Sequence, residues 1–349
     1  MDEKVIVGIS GGMDSSVALY ILKEKGLDPL AVTLYLYDED PRNPRSCCNV
    51  VAIRRARSLA KRLNIPHIIV DLRKEFNENI ISYFLEEYKR GRTPNPCVFC
   101  NRDFKFYYLF KKADEIGAQF VATGHYARIT ENKENFIRMA LDRKRDQSYY
   151  LVFLKKSWLS RIIFPLGDME KDEVKNIASK IGVESIKESQ ELCFLNGKDY
   201  RKFLKGRVEE RPGKIVDIEN NVLGEHRGIF YFTIGQRKRL GVSVGLPLYV
   251  ISLDPHKNRV IVGKREEALK RKIRVSSINW YKEPKESMEL YVKIRYLHNP
   301  SRGQILVKKN EAIVIFDKPQ FAPTPGQIAA FYDGEILVGG GVIEEVYED

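Results

Sequence analysis

Residues 5–9 (VIVGI) make an apolar run of strand type, and it passes without a spacer into Ser10-Gly11-Gly12 and then into a helical pattern beginning near Asp14. A buried strand that turns straight onto a helix is the opening half of a βαβ unit, which commits the chain to a parallel sheet covered by helices. The pattern repeats. A strand run over residues 30–36 is followed by a helix over 50–63 that carries Ile53, Ala56, Leu59, Ala60 and Leu63 on one stripe. A strand over 67–70, helices near 76–89 and 106–116, and a strand over 119–123 come next. Ligands of such sheets bind beyond the carboxyl ends of the strands, so the SGGMDS loop (residues 10–15) stands where a nucleotide would.

Gly11 and Gly12 lack the Cβ atoms that hold phosphate oxygens away from the backbone, so several N–H groups can face one anion. Asp14 or Ser15 is expected to cap the helix, whose N-terminal dipole adds to the site. The loop has neither the Gly-Lys-Ser/Thr of a Walker loop nor the third glycine of a dinucleotide fingerprint. It suits a leaving pyrophosphate better than cleavage of a γ-phosphate, although a tight βα turn also needs glycine for its backbone alone.

Beyond residue 200 the pattern changes to short strands separated by Pro, Gly and Asn, including 213–217, 248–251, 259–262, 289–296, 304–308, 312–316 and 328–332. The aromatic string GIFYFTIGQRK (228–238) reads as an alternating strand packed in a core, with Arg237 and Lys238 on a basic turn reaching phosphates. A chain of 349 residues is long for one core. Three domains are expected: 1–205, a small mixed α/β domain over 206–270, and a closed or nearly closed β-barrel over 271–349.

With 43% hydrophobic and 30% charged residues the composition is that of an ordinary globular protein. No apolar run reaches membrane-spanning length and the start lacks a secretion-signal pattern, so a cytoplasmic location is expected. The formal charge of +12, with basic clusters at residues 54–57, 201–202, 237–239 and 270–272, favours nucleic acid as partner over a merely solvated surface. Five cysteines, Cys47, Cys48, Cys97, Cys100 and Cys193, are an odd set for a disulfide framework. Cys97 and Cys100 sit in RTPNPCVFCNRDFKF (92–106), a proline-stiffened loop just ahead of a helix, where a thiolate is stabilised. Alone, this C-x-x-C is only a moderate sign of zinc or redox work.

The string SGGMDSSVA between strand and helix resembles the PP-loop of the ATP pyrophosphatase family, which adenylates a carbonyl oxygen and releases pyrophosphate. The resemblance implies an adenine nucleotide α-hydrolase-like α/β fold with helices on both faces of the sheet. With TPNPCVFCN, TGHYAR, DQSYYL, SQELCF, GIFYFTIGQRK, residues 293–296 and Pro325-Gly326-Gln327, nearly the whole chain resembles the tRNA 2-thiouridylase family. That family replaces the 2-oxygen of the wobble uridine by sulfur in the tRNAs for Lys, Glu and Gln, using ATP with Mg²⁺.

By position, the resemblance places Gly8, Ile9, Ser10, Gly11, Gly12, Met13, Asp14 and Ser15 on the ATP phosphates, with Leu34 and Gly124 near the adenosine. It makes Cys193 the persulfide carrier and Cys100 the nucleophile that forms a disulfide with it as sulfur is released. A cysteine desulfurase or sulfur-relay protein is the implied donor. Asn95, Pro96 and Cys97 fall where the target base is touched. His125, Arg145-Asp146-Gln147, Arg295-Tyr296 and Gln327 fall on further tRNA contacts. Many members have Asp at the place of Cys97, and many have Lys at that of Arg145. The substituted thiol makes a three-cysteine set, Cys97, Cys100 and Cys193, which as an alternative could hold a [4Fe–4S] cluster with one iron open. Zinc is disfavoured because Cys47-Cys48 lack the spacing to complete a four-ligand site. Other PP-loop ligases, and a noncatalytic RNA-binding protein, are the competing readings.

Overall fold

The computed structural model describes residues 3–37, 50–130, 134–183, 192–195, 197, 199–242 and 244–348. Cys47, Cys48 and residues 189–191 of SQELCF lie outside the described residues. The chain forms two compact units: Met1–Ile80 with Cys97–Gly197 and Glu335–Leu337, and Ile81–Pro96 with Lys198–Gly334 and Val338–Asp349.

In the first unit, β1 (Lys4–Gly8), α1 (Met13–Glu24), β2 (Asp28–Tyr35), α2 (Val50–Arg62) and β3 (His67–Asp71) follow the expected alternation. Then α3 (Arg73–Phe76) runs through a π-helical segment, Asn77–Ile81, into α4 (Ser82–Lys89), which belongs to the second unit. A second such run joins α5 (Pro96–Phe99) through π-helical Cys100–Phe106 to α6 (Tyr107–Ile116). The rest of the unit holds β4 (Phe120–Thr123), β5 (Ala127–Ile129), β6 (Ile137–Met139), β7 (Ile162–Ile163) and α7 (Lys171–Lys180). β3-β2-β1-β4-β7 form one parallel sheet.

Side chains alternate across this sheet, and helices cover both faces. Val5, Val7 and Ile9 pack with Leu19 and Leu22 of α1 and with Ala56, Leu59 and Ala60 of α2. Gly8, of opposite parity, faces α6, where a Cβ would come within 2.9 Å of Leu109. β5 and β6 form a separate antiparallel pair, extended by Ile336 and Leu337, which pair with Arg138 and Ile137. Glu335 anchors that addition by accepting from Arg128 (3.1 Å), Arg138 (2.7 Å) and Arg143.

The second unit holds α8 (Tyr200–Leu204) and a mixed sheet of β8 (Gly213–Val216), β9 (Val222–His226), β10 (Tyr249–Asp254) and β11 (Arg259–Gly263), ordered β10-β11-β8-β9. One expectation fails here. Residues 229–234 are not a strand: Ile229–Tyr231 is a 3₁₀ turn. Ile229, Phe232 and Ile234 all enter one core, a spacing that no alternating strand could give.

β12 (Leu269–Trp280), β13 (Ser287–Lys293), β14 (Ser301–Lys308), β15 (Glu311–Phe321), β16 (Ile328–Asp333) and β17 (Ile336–Val346) follow. Their order β12-β15-β14-β13-β16-β17, with β12 pairing back onto β17, closes a six-stranded barrel and leaves no free edge among these strands. Ile273, Val292, Ile305, Val314 and Phe316 are buried in it. Among the described residues no helix is long and apolar enough to cross a membrane.

Candidate active site

The order of the parallel sheet reverses at β1, which has β2 on one side and β4 on the other, and this is where a doubly wound sheet opens a crevice. Gly8 and Thr123, the last residues of the two strands, are direct partners. A cavity of about 230 Å³ lies there, lined by Gly8, Ile9, Ser10, Asp14, Ser15, Leu34 and Gly124 from the expected set. Val32, Leu36 and Leu109 give it an apolar wall, while Lys105, Thr123, His125 and Gln147 supply polar groups.

The two loop glycines do different work. Gly11 has φ +73°, and a Cβ on it would lie 2.1 Å from the Ala52 carbonyl oxygen, so the fold itself excludes a side chain. A Cβ on Gly12 would meet only Ser10 Oγ at 3.5 Å, so the fold itself leaves room for a side chain there. Ser15 Oγ accepts from Ser10 N–H (3.1 Å) and donates to the Gly12 carbonyl (3.1 Å), which pulls the loop closed. Gly124 backs it, since a Cβ there would stand 2.7 Å from Ser15 N.

Neither Asp14 nor Ser15 caps α1, as had been expected. Gly12 is the N-cap and has no side-chain cap, because Ser15 closes the loop and Asp14 is engaged elsewhere. Asp14 Oδ1 accepts from Tyr126 Oη (2.9 Å) and from Lys171 Nζ (2.7 Å). Lys171 is only 7% exposed. Its position is fixed by a reciprocal capping box between Glu170 and Glu173 and by Lys171 N–H donating to Asp142 (3.2 Å). Lys171 and Lys105 therefore bring to the loop and its cavity the cationic groups that the Walker position lacks. Sequence reading missed both, and for Lys171 the 157-residue separation from Asp14 leaves no local signal.

His125, expected on RNA, stands in the wall of this cavity. Its Nδ1 is hydrogen-bonded to Thr123 Oγ1 (2.8 Å), and its ring stacks on Phe106. Burial pushes the imidazole down to about 3, with the Lys105 charge acting in the same direction, so the ring is neutral. Gln147 Oε1 accepts from Tyr126 N–H (3.0 Å), which fixes its amide at the rim. Asp146, also expected on RNA, lies in the loop between β6 and the 3₁₀ turn at Ser148–Leu151. It is buried, and its carboxylate accepts from Ala140 N–H (3.0 Å), Ser148 N–H (3.2 Å) and Ser148 Oγ (2.9 Å), so it builds the loop. Arg145 is half-buried in the turn closed by its N–H to Asp142 O (3.0 Å).

Cys100 opens the π-helical segment and is buried, whereas Cys97 and Cys193 are partly exposed thiols. π-Turns inside helices recur at functional sites because they re-aim side chains that an α-helix would stack. Cys193 begins a 3₁₀ turn whose next residue, Phe194, packs edge-on against Phe76 (6.1 Å), and Phe76 packs edge-on against Phe104 (5.6 Å) of the Cys100 segment. This chain of rings ties the two cysteine-bearing segments together within the first unit. Among the described residues no group of three or more His, Cys, Asp or Glu side chains is placed to hold a metal ion, Cys97, Cys100 and Cys193 included. As placed, these residues do not offer a [4Fe–4S] cluster its three ligands.

The second unit holds the other expected contacts. Asn95 and Pro96 are buried at the start of α5. Arg295 is a tie: its guanidinium donates to Ile234 O (3.2 Å), Thr324 Oγ1 (2.5 Å) and Ala322 O. Tyr296 lies under Lys293 Nζ (5.4 Å), and Gln327 donates to Thr93 O (2.9 Å) and Pro94 O (3.3 Å). A separate hollow of about 500 Å³ is lined by Lys89, Arg207 and Arg211 against a single acid, Glu209.

A glycine-bearing βα loop at the switch point, with buried Lys171 paired to its Asp14, half-buried Lys105 in the cavity lining and an apolar wall, defines a nucleotide-binding α/β domain of the PP-loop class. Residues 3–197 match the family described as "tRNA methyl transferase HUP domain", residues 201–264 its PRC-barrel domain, and residues 270–343 "Aminomethyltransferase beta-barrel domain". The chain is 42% identical to tRNA-specific 2-thiouridylase MnmA 1 of Caldanaerobacter subterraneus subsp. tengcongensis, over 99% of both chains. It is 40% identical to tRNA-specific 2-thiouridylase MnmA of Clostridioides difficile, again over 99% of each. A solved 4-thiouridine synthetase–RNA complex with bound ATP aligns at 21% identity over 57% of this chain and 43% of that one, with a TM-score of 0.35. The chain belongs to the tRNA-specific 2-thiouridylase family, a family of sulfurtransferases.

Proposed function

We propose that the chain thiolates the wobble uridine of the tRNAs for Lys, Glu and Gln in three steps. The uridine O2 attacks the α-phosphorus of ATP, forming an O–P bond as the bond to pyrophosphate breaks. The terminal sulfur of a Cys193 persulfide then attacks C2, and the C2–O bond breaks as AMP leaves. Finally the Cys100 thiolate attacks Cys193 Sγ, releasing the thiocarbonyl and leaving a Cys100–Cys193 disulfide that an external dithiol reduces. A cysteine desulfurase or relay protein loads the persulfide, and ATP brings Mg²⁺, for which no protein ligands are assigned.

The observation that carries this reading is the phosphate loop standing in the same compact unit as two cysteine segments joined by Phe104, Phe76 and Phe194. Under this reading the loop N–H groups and the dipole of α1 face the departing pyrophosphate, with Lys105 and Lys171 neutralising developing charge. Neutral His125 can orient the nucleotide by hydrogen bonding but adds no charge.

The test is nucleoside mass spectrometry of unmodified tRNA-Glu after incubation with the protein, Mg²⁺, ATP, cysteine and a cysteine desulfurase. 2-Thiouridine is expected, and it is expected to vanish in Cys100→Ser and in Cys193→Ser while tRNA binding persists. Continued turnover in either variant refutes the assigned sulfur path.

A further inference from the structure

We infer that Asn101 is a positioning residue for Cys100, fixing the start of the π-helical segment to the buried run 148–154 that follows Gln147 in the cavity wall. The inference rests on the sulfur-transfer role proposed for Cys100. Asparagine is a poor helix former, because its side chain competes with the backbone for hydrogen bonds. Here it stands second in the π-helical segment and is only 2% exposed. Its Nδ2 donates to the Tyr150 carbonyl (3.0 Å), while its Oδ1 is buried and meets no donor among the described residues. A leucine of similar size would incur neither penalty, so stability does not account for this residue. What the amide adds is one directed bond, next to the nucleophile.

Both neighbours of Cys100 hold the same short run. Phe99 stacks on Phe153, with ring centroids 5.2 Å apart and planes 13° from parallel, and the Arg102 guanidinium lies over both rings at 5.3 and 5.7 Å. Asn101 reaches Tyr150 in that run, so Cys100 stands between one apolar contact and one directed contact and cannot turn about either alone. The run itself is rigid. Tyr149, Leu151, Val152 and Leu154 are fully buried, and Asp146 closes its start on Ser148. It is also tied back to the phosphate loop: Tyr150 N–H donates to Gln147 O (3.0 Å), Gln147 N–H to Tyr126 O (2.8 Å), and Tyr126 Oη to Asp14 (2.9 Å). All of these residues belong to the first unit. Asn101 completes the series, so the nucleophile is held in register with the loop that faces the nucleotide.

The experiment compares wild type, Asn101→Leu and Asn101→Ala as full-length proteins. Cys100 is only 6% exposed, so its iodoacetamide labelling in the absence of tRNA, resolved from that of Cys97 by tandem mass spectrometry, reports the geometry of the segment. The single-turnover burst of pyrophosphate from ATP and tRNA without a sulfur donor reports the step before Cys100 acts, and 2-thiouridine formation with the donor reports the whole reaction. Loss of the directed bond is expected to raise Cys100 labelling about tenfold and to lower kcat for 2-thiouridine by a similar factor, with KM for tRNA and the pyrophosphate burst held within about twofold. A merely structural asparagine would lower the burst and the thiolation together, and that result overturns the inference. So does Cys100 labelling at the wild-type rate in a folded variant. Alanine is the better helix former and fills less space, so Asn101→Ala decides the matter if Asn101→Leu gives no cooperative melt. A wild-type protein that gives the burst but makes no 2-thiouridine defeats the proposed sulfur path instead, and the labelling comparison still decides whether Asn101 holds Cys100 in place.

Discussion

Replacing Lys171 with methionine keeps the length of the side chain and removes one charge from beneath the phosphate loop. The pair it breaks has Lys171 Nζ 2.7 Å from Asp14 Oδ1, with side chains 8% and 25% exposed. Breaking a fully buried pair costs about 3–5 kcal/mol, and the partial exposure of Asp14 reduces that to about 2–3 kcal/mol. Tyr126 continues to hold the carboxylate by one hydrogen bond, but its charge is left unmatched beside the phosphate site. At about 1.4 kcal/mol per decade, ATP binding is expected to weaken about 30- to 150-fold if the same term is lost to the ligand. Isothermal titration with ATP measures that loss, and urea melts of Lys171→Met, Asp14→Asn and the double variant form a double-mutant cycle. A coupling of about 2 kcal/mol is expected, the double variant being more stable than the sum of the singles. Additivity within about 0.5 kcal/mol, or unchanged ATP affinity in Lys171→Met, refutes the reasoning.

Gly12→Ala is expected to cost no more than about 1 kcal/mol in stability yet weaken ATP tenfold or more, whereas Gly11→Ala, at φ +73° against Ala52 O, is expected to unfold the loop; paired melts and titrations separate them. His125 is held near 3 when folded and titrates near 6.5 when unfolded, so the unfolded state binds the extra proton. Its stabilising effect is complete above about pH 6.5 and falls away toward pH 3; a His125→Gln variant is expected to lose less stability than wild type between pH 7 and 5, and parallel melts check it. Arg207→Gln with Arg211→Gln is expected to flatten the salt dependence of tRNA binding by about two phosphate contacts without changing base preference, and an unchanged slope removes that hollow from the RNA footprint.

The parallel sheet was legible because glycines and apolar runs punctuate it, and the phosphate loop because its residues are contiguous. What sequence reading missed depends on distant residues meeting. Lys171 touches Asp14 across 157 positions, and the addition of Ile336 and Leu337 to β6 joins residues almost 200 apart. The π-turn at Cys100 carries no periodic signal, since an i→i+5 pattern in seven residues never completes a face. Residues 229–234 were misread because β-rich, alternating letters outweighed Gly228 and Gly235, which bracket a 3₁₀ turn. His125 and Gln147 line the cavity at the switch point, and the Asp146 carboxylate accepts hydrogen bonds within its own loop, neither of which the letters of the strings foretell. A residue type in a string cannot tell which way its hydrogen bonds are spent.

The segment Glu335–Leu337 has a consequence for synthesis. Leu337 is fully buried against the β5–β6 pair, and Glu335 pairs with three arginines there, so the first unit lacks a strand until residues 335–337 emerge. At about 5–20 residues per second, a ribosome takes roughly 10–40 s to travel from Arg138 to its partner Ile336. The second unit waits as well, because Ile81–Pro96 must be held for strands made much later. Each unit therefore closes only after strands far downstream of its first residues have been made.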